Sequence, residues 1–257
     1  MLTKPLCSLL PQRQLGYFLS MGLEVLEKLF LYRAILASLR KEGKVIIATA
    51  TSGIAATILP GGQTAHSRFR LPLSPKPYST CSISKQEDLA QFIRTADAIV
   101  WDEVTMIHCY TFEAFERTLR NIMDVDAPFG GKVVITGGDF RQLLPVVPRA
   151  KVREAIDACI LKSSFWEKVI TLRLKENMRA RSDPSFSSFL LRVGNGAEPV
   201  LSGDMINIPS DMIIPWENES SLDTLIEEIF PNLSYNARNR EYIAERALLT
   251  PLNDCVN

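Results

Sequence analysis

Two acids side by side at the end of an apolar run are the residues in this chain best suited by type and spacing to do chemistry. They are Asp102 and Glu103, in the string DAIVWDE at residues 97–103. A buried parallel strand that ends in adjacent carboxylates delivers both to the carboxyl edge of its sheet, where α/β folds bind their ligands. At such an edge Asp102 could hold Mg²⁺ through its water shell, and Glu103 could polarise a water for attack on a terminal phosphate. The same string also suits a strand whose two acids simply face solvent, and these residues alone leave both readings open.

Three further strings carry groups of the same kind. In GGDFRQLLPVVP, residues 137–148, Gly137 and Gly138 permit a tight turn and close backbone approach, which brings Arg141 and Gln142 to the edge that holds Glu103. The amide of Gln142 suits a γ-phosphate sensor, because it reports the phosphate without neutralising the attacking water; a turn with a helix N-cap at Asp139 is the alternative. In TATSGIAA, residues 49–56, the hydroxyls of Thr49, Thr51 and Ser52 and the backbone at Gly53 could hold a nucleic-acid phosphate, or make an ordinary capped helix start. GGQTAHSRFR, residues 61–70, adds His66, Arg68, Phe69 and Arg70, a mixture that suits a single strand with a tracked backbone and a stacked base. Arg179, at the end of LKENMR, is placed either to reach a transferred phosphate or to close a structural ion pair.

These groups need elements to position them. Four short runs rich in Val and Ile predict buried strands: Lys44–Thr49, Asp97–Trp101, Lys132–Gly137 and Val169–Leu174. Their near-continuous hydrophobicity fits a parallel sheet covered on both faces. Helices are predicted over Leu29–Lys41, closed by Gly43, and over Thr111–Met123, with Thr111 as N-cap. Alternation of strand and helix predicts a doubly wound α/β domain. Leu71–Ser84 reads as a surface loop. After a composition change near residue 180 come helices at Ser185–Gly194 and Leu222–Phe230 and a last strand at Arg246–Thr250. The expected organisation is a first domain over residues 1–180 and an incomplete second over 181–257.

Bulk properties set bounds. The 257 residues carry zero formal net charge, which argues against indiscriminate phosphate binding while leaving room for a local basic groove. Five scattered cysteines without a CxxC pair fit a reducing compartment, and two separated histidines do not suggest a metal cluster. No apolar run reaches the roughly 18–20 residues of a membrane span, so no membrane partner is expected.

In this order the strings FLYRAILASLR, VIIATATSGIAATILPGGQTAHSRFRLPL, AIVWDEVTMIH, FGGKVVITGGDFRQLLPVVP, LRLKENMR and RALLTPLNDCVN resemble the Pif-type (petite integration frequency) DNA helicases, including the helicase-like proteins of plants and Helitron elements. The resemblance implies an ATP-dependent, Mg²⁺-requiring helicase moving 5′ to 3′ on single-stranded DNA and DNA forks, built from two RecA-like domains with ATP between them. It implies roles in DNA repair, recombination and telomere maintenance, and a nuclear address with the mitochondrion as alternative. It carries the family's acid pair onto Asp102 and Glu103, its phosphate-sensing glutamine onto Gln142, its junction arginine onto Arg179 and its strand-contacting motif onto residues 49–53.

One motif is broken. Where the family has a glycine-rich loop of the form GPGGTGKT, this chain reads MGLEVLEKL over residues 21–29, and only Lys28 falls on the motif's lysine. A phosphate cradle needs glycines so that successive backbone N–H groups converge on the anion. Leu23, Val25 and Leu26 block that geometry, Glu24 and Glu27 add like charge, and Leu29 has no hydroxyl for Mg²⁺. The codons ATG GGC CTG GAG GTA CTG GAA AAA CTT can encode Met21–Leu29. Read two bases on, they give GGG CCT GGA GGT ACT GGA AAA and then ACT, the string GPGGTGKT. The expectation is a phosphate loop translated out of frame, with the frame restored before FLYR. On that basis the alternative to an active helicase is a catalytically inactive fragment or pseudogene product, at most a DNA- or partner-binding module.

Overall fold

The computed structural model describes residues 17–21, 25–142, 144–149, 151–174 and 183–250. The chain divides into two compact units, Met1–Glu198 and Pro199–Asn257. Described elements of the first are β1 (Tyr17–Met21), α1 (Val25–Lys41), β2 (Ile46–Ala50), α2 (Gly53–Ile58), β3 (Gln63–Thr64), α3 (Ala65–Phe69), α4 (Asp88–Thr95), β4 (Ala98–Asp102), α5 (Cys109–Met123), β5 (Val133–Gly138), α6 (Val152–Asp157), β6 (Ile170–Leu174) and α7 (Pro184–Gly194).

The six strands form one sheet in the order β3-β2-β4-β5-β1-β6, with every pairing parallel. Parallel strands need crossovers, and helices supply them, covering both faces of the sheet. Side-chain alternation along each strand feeds two cores. From β4, Ile99 and Trp101 enter a cluster with Phe69, Phe112, Phe115 and Phe129, while Ala98 and Val100 enter the opposite one with Tyr32, Ile35 and Leu39. Strand β2 divides in the same way, with Ile47 to the first cluster and Ile46, Ala48 and Ala50 to the second.

The four predicted strands form, each shifted by a residue or two. Two local expectations and one alternative reading do not hold. Helix α5 begins at Cys109, capped by His108, whose Nδ1 accepts the Tyr110 N–H at 3.1 Å. Thr111 is 3% exposed inside the helix, because its side of the first turn already faces the core. Among the described residues no helix starts at Asp139 for it to cap; its carboxylate accepts the Arg141 N–H and its carbonyl the Gln142 N–H, closing a turn. Pro145 and Pro148 downstream oppose helix formation at the residues before them. Residues 246–250 have no strand structure, and Leu249 is 94% exposed. A β-prone run needs a neighbouring strand to pair with, and none of the described residues offers one there.

The second unit contains the hairpin β7 (Val200–Ser202) and β8 (Met205–Ile206), then α8 (Ser220–Ile229), α9 (Leu233–Asn236) and α10 (Arg240–Ala244). The composition change near residue 180 lies outside the described residues, and α7 belongs to the first unit.

Candidate functional site

Strand β4 ends at Asp102, and the backbone turns at once: Glu103 takes a left-handed conformation, φ 53°, and its N–H donates to Asp102 Oδ1 at 2.8 Å. A non-glycine residue in that region costs roughly 1–2 kcal/mol, so surrounding contacts must hold it there. Lys28, in the first turns of α1, supplies such a contact. It is 1% exposed, with Nζ 2.7 Å from Asp102 Oδ1 and 2.5 Å from Glu103 Oε1. Tyr32, one helical turn further along, donates its hydroxyl to Asp102 Oδ1 at 3.5 Å.

Strand β5 runs beside this group and is glycine where it passes. A Cβ at Gly137 would lie 1.9 Å from Tyr32 Oη and 3.2 Å from Lys28 Cδ, and one at Gly138 would lie 2.7 Å from the Thr105 side chain. Both glycines are therefore strand residues that admit close neighbours, not the tight turn expected of them.

One ammonium here serves two carboxylates. Burial alone would lower the Lys28 pKa, but Asp102 and Glu103 together outweigh it and hold the lysine above its ordinary value. For Asp102 the balance runs the other way: burial raises its pKa, Lys28 opposes, and the neighbouring Glu103 adds to the rise. Burial, then the two carboxylates, push the Tyr32 phenol well above its usual range. Among the described residues three buried side-chain oxygens lack a hydrogen-bond partner: Glu103 Oε2, Thr105 Oγ1 and Asp139 Oδ2. Such atoms mark places for water or ligand.

The donor set does not fit a divalent cation as it stands. The Lys28 ammonium fills the space between the acids, and Leu29 adjoins it without a hydroxyl. Among the described residues no cluster of three His, Cys, Asp or Glu side chains could hold a metal.

The remaining candidates separate. Gln142 and Arg141 are exposed on the turn after β5, and Arg141 lies against Gly194 of α7, its Cδ 3.2 Å from where a Cβ would stand. Arg179 lies outside the described residues. Thr49 is fully buried and its hydroxyl donates to the Val100 carbonyl at 2.9 Å, so it does not face a nucleic acid as expected. Thr51 accepts the Trp101 indole N–H at 3.0 Å and donates its own N–H to the Asp102 carbonyl at 2.9 Å. Ser52 caps α2 by accepting the Ala55 N–H, and Gly53 is exposed.

Phe69 corrects a second expectation. It is 1% exposed, packed 4.6 Å from Phe115 and 6.0 Å from Trp101 between ring centroids, and has no face free for a base. Helical geometry explains it, since Ala65 and Phe69 share the buried face of α3. Arg68 lies over the Phe92 ring at 5.4 Å, and His66 is half-buried, with its pKa lowered by that burial. Sequence reasoning missed Tyr32 and Trp101. The i,i+4 spacing of Tyr32 from Lys28 was the available signal for the first, and adjacency to Asp102 for the second.

A family model described as PIF1-like helicase matches residues 10–202. ATP-dependent DNA helicase PIF1 of Danio rerio is 32% identical over 177 residues, covering 67% of this chain and 27% of that protein. The protein of the same name from Trypanosoma brucei brucei is 30% identical over 192 residues, covering 73% of this chain and 18% of its own length. The chain thus spans about a quarter or less of these curated relatives. A Pif1 helicase from Bacteroides, solved in complex with ADP-AlF3 and ssDNA, shares the fold with a TM-score of 0.66 at 23% identity, covering 90% of this chain and 50% of that one.

Proposed function

Because this chain belongs to the PIF1-like helicase family, we propose that it is the first motor domain, with the start of a second, of an ATP-dependent DNA helicase. One observation carries the reading: Lys28, Asp102 and Glu103 meet at the carboxyl edge of an all-parallel sheet, where β1, β4 and β5 end. That is the edge at which α/β folds bind nucleotides.

In this proposal Lys28 turns from the acids to the terminal phosphates of ATP, and its charge holds them in place. Glu103, whose Oε2 has no partner, accepts the proton of the attacking water. Gln142 and Arg179 sense and stabilise the transferred phosphate, Arg141 contacts the nucleotide, and Asp102 is the residue that faces Mg²⁺. With Lys28 between the acids that last position is taken. Thr51, Ser52, Gly53, His66 and Arg68 are the proposed nucleic-acid contacts, on single-stranded or forked DNA. Movement from 5′ to 3′, roles in repair, recombination and telomere maintenance, and a nuclear or mitochondrial address belong to the same proposal. It is tested by ATPase and fork unwinding on a longer protein carrying GPGGTGKT in place of residues 22–29. Turnover that is stimulated by single-stranded DNA and abolished by Glu103→Gln is expected; turnover indifferent to Glu103→Gln refutes the assignment.

A second reading concerns the chain as it stands. A buried lysine locked to both acids, no glycine cradle in the string around it and no hydroxyl at Leu29 favour a catalytically silent module that binds DNA or a partner. Phosphoryl transfer depends almost wholly on positioning and electrostatic stabilisation, and those are the parts this chain lacks.

A further inference from the structure

We infer that the Lys28 ammonium is the resident cation of the Asp102–Glu103 pair, and that it keeps divalent metal off these acids for as long as it stays between them. The inference rests on the geometry of the pair and goes beyond the helicase reading; it holds equally for a chain that never meets DNA.

Several contacts define the enclosure. Asp102 Oδ1 already receives Lys28 Nζ at 2.7 Å, the Glu103 N–H at 2.8 Å and the Tyr32 hydroxyl at 3.5 Å. Those approaches use the directions from which a metal would come. Glu103 Oε1 is held by the same ammonium at 2.5 Å. Glu103 Oε2 is buried and has no hydrogen-bond partner among the described residues.

Mg²⁺ requires about six oxygens at roughly 2.0–2.1 Å in near-octahedral array and keeps several of its waters. The ammonium stands between the two acids, where a bridging ion would have to sit, and Lys28 is 1% exposed. The backbone adds to the closure. Gly137 packs so tightly on Tyr32 and Lys28 that a single added carbon would overlap the tyrosine hydroxyl at 1.9 Å. Lysine and tyrosine are thus seated in a fitted slot, and the acids take their counter-charge from within the fold rather than from solution.

Substituting the lysine converts an ion pair into a vacant acidic pair. Lys28→Met keeps most of the side-chain volume and removes the charge, so Asp102 and Glu103 become two like charges in need of a cation. The test uses Mn²⁺ as probe on the nucleotide-free chain, with paramagnetic broadening of the Trp101 indole resonance as readout. Trp101 adjoins Asp102, and its signal is assigned against Trp166 and Trp216 by its loss in Trp101→Phe.

In the wild type, millimolar Mn²⁺ should leave the Trp101 resonance sharp. In Lys28→Met it should broaden at concentrations at least about tenfold lower, the thermal midpoint should rise with added Mn²⁺, and Asp102→Asn in the same background should cancel both effects. Should Lys28→Met fold only when Mn²⁺ is present, the metal has replaced the lysine and the inference stands. Broadening of Trp101 in the wild type at the concentrations that act on Lys28→Met overturns it. Should the variant not fold under any condition, the wild-type titration decides alone, with broadening of Trp101 at millimolar Mn²⁺ overturning the inference and a sharp signal upholding it. Neither nucleotide nor DNA enters the experiment, so its failure is distinct from failure of the helicase proposal.

Discussion

Tyr32 Oη occupies the space a side chain at Gly137 would need: a Cβ built there would stand 1.9 Å away. Tyr32 is itself fixed, fully buried and hydrogen-bonded to Asp102, so it cannot swing clear. Overpacking of a filled core costs about 1–3 kcal/mol. Gly137→Ala should therefore lower stability by that order in urea denaturation, and Tyr32→Phe should recover part of the loss by removing the clashing oxygen. Equal stability of Gly137→Ala and wild type would contradict the close approach.

The buried triad makes a separate prediction about pH. Lys28 and Tyr32 both titrate above their ordinary values of 10.5 and 10.0 in the folded chain. A group whose folded pKa is raised contributes stability that is fully present below its unfolded pKa and lost as pH rises through the folded one. The wild type should accordingly lose stability as pH rises beyond about 10, the unfolded value for tyrosine. Lys28→Met and Tyr32→Phe should each flatten that alkaline decline. At neutral pH Lys28→Met should cost about 3–5 kcal/mol, because it strands two buried carboxylates. Thermal midpoints measured between neutral and strongly alkaline pH check both statements, and parallel alkaline limbs in wild type and variants would count against them.

What the sequence showed, and what it hid, follows from the range of each interaction. The strands were legible because a strand covered on both faces is apolar throughout, as in KVVITG. Asp102 and Glu103 were legible because they are adjacent. The lysine that neutralises them lies 75 residues from Glu103, and no local pattern states that pairing. Thr49 and Phe69 were misjudged for the opposite reason. Their types suit nucleic-acid contact, but the strand and helix periods turn both inward. Residues 246–250 looked like a strand by composition, which is silent on whether a partner strand exists.

Phe69 gives the cleanest contrast between a binding residue and a core residue. A base-stacking aromatic removed to alanine weakens single-strand binding and leaves the fold intact. A buried one removed to alanine costs about 3–5 kcal/mol through the cavity it leaves. Phe69→Ala should do the second, showing a large drop in denaturation midpoint. Arg68→Ala should leave the unfolding free energy within about 1 kcal/mol of wild type, since its ring contact is partly exposed. Loss of DNA binding in Phe69→Ala at unchanged stability would reinstate the stacking role.

The chain as it stands should show no measurable ATPase, with or without single-stranded DNA, for the electrostatic reasons given for its loop. DNA-stimulated turnover that disappears in Glu103→Gln would reverse that prediction. Restoring GPGGTGKT over residues 22–29 should return nucleotide affinity before it returns unwinding, because the cradle is local and stepping needs a second motor domain. Equilibrium binding of a fluorescent ATP analogue reads the first effect, and an unchanged affinity would count against placing the loop at these residues.

The last prediction concerns how the acid pair is tied to the loop that follows β2. Trp101 donates its indole N–H to Thr51 Oγ1 at 3.0 Å, and the Thr51 N–H returns to the Asp102 carbonyl at 2.9 Å. These two bonds hold the Thr51–Gly53 segment to the end of β4. Trp101 is otherwise sealed among Phe69, Phe112 and Phe115. Trp101→Phe keeps an aromatic ring in that cluster and deletes the donor, while Thr51→Val keeps the shape and deletes the acceptor. Each should cost about 0.5–1.5 kcal/mol from the hydrogen bond, with a cavity contribution added for the tryptophan. If the bond is what fixes the loop, the double variant should cost less than the sum of the two singles, because the same interaction is removed twice. Amide hydrogen exchange at Ser52 and Gly53 should quicken in all three. Additive energies with unchanged exchange would mean that the backbone pairing of Thr51 with Asp102 fixes the loop without the indole.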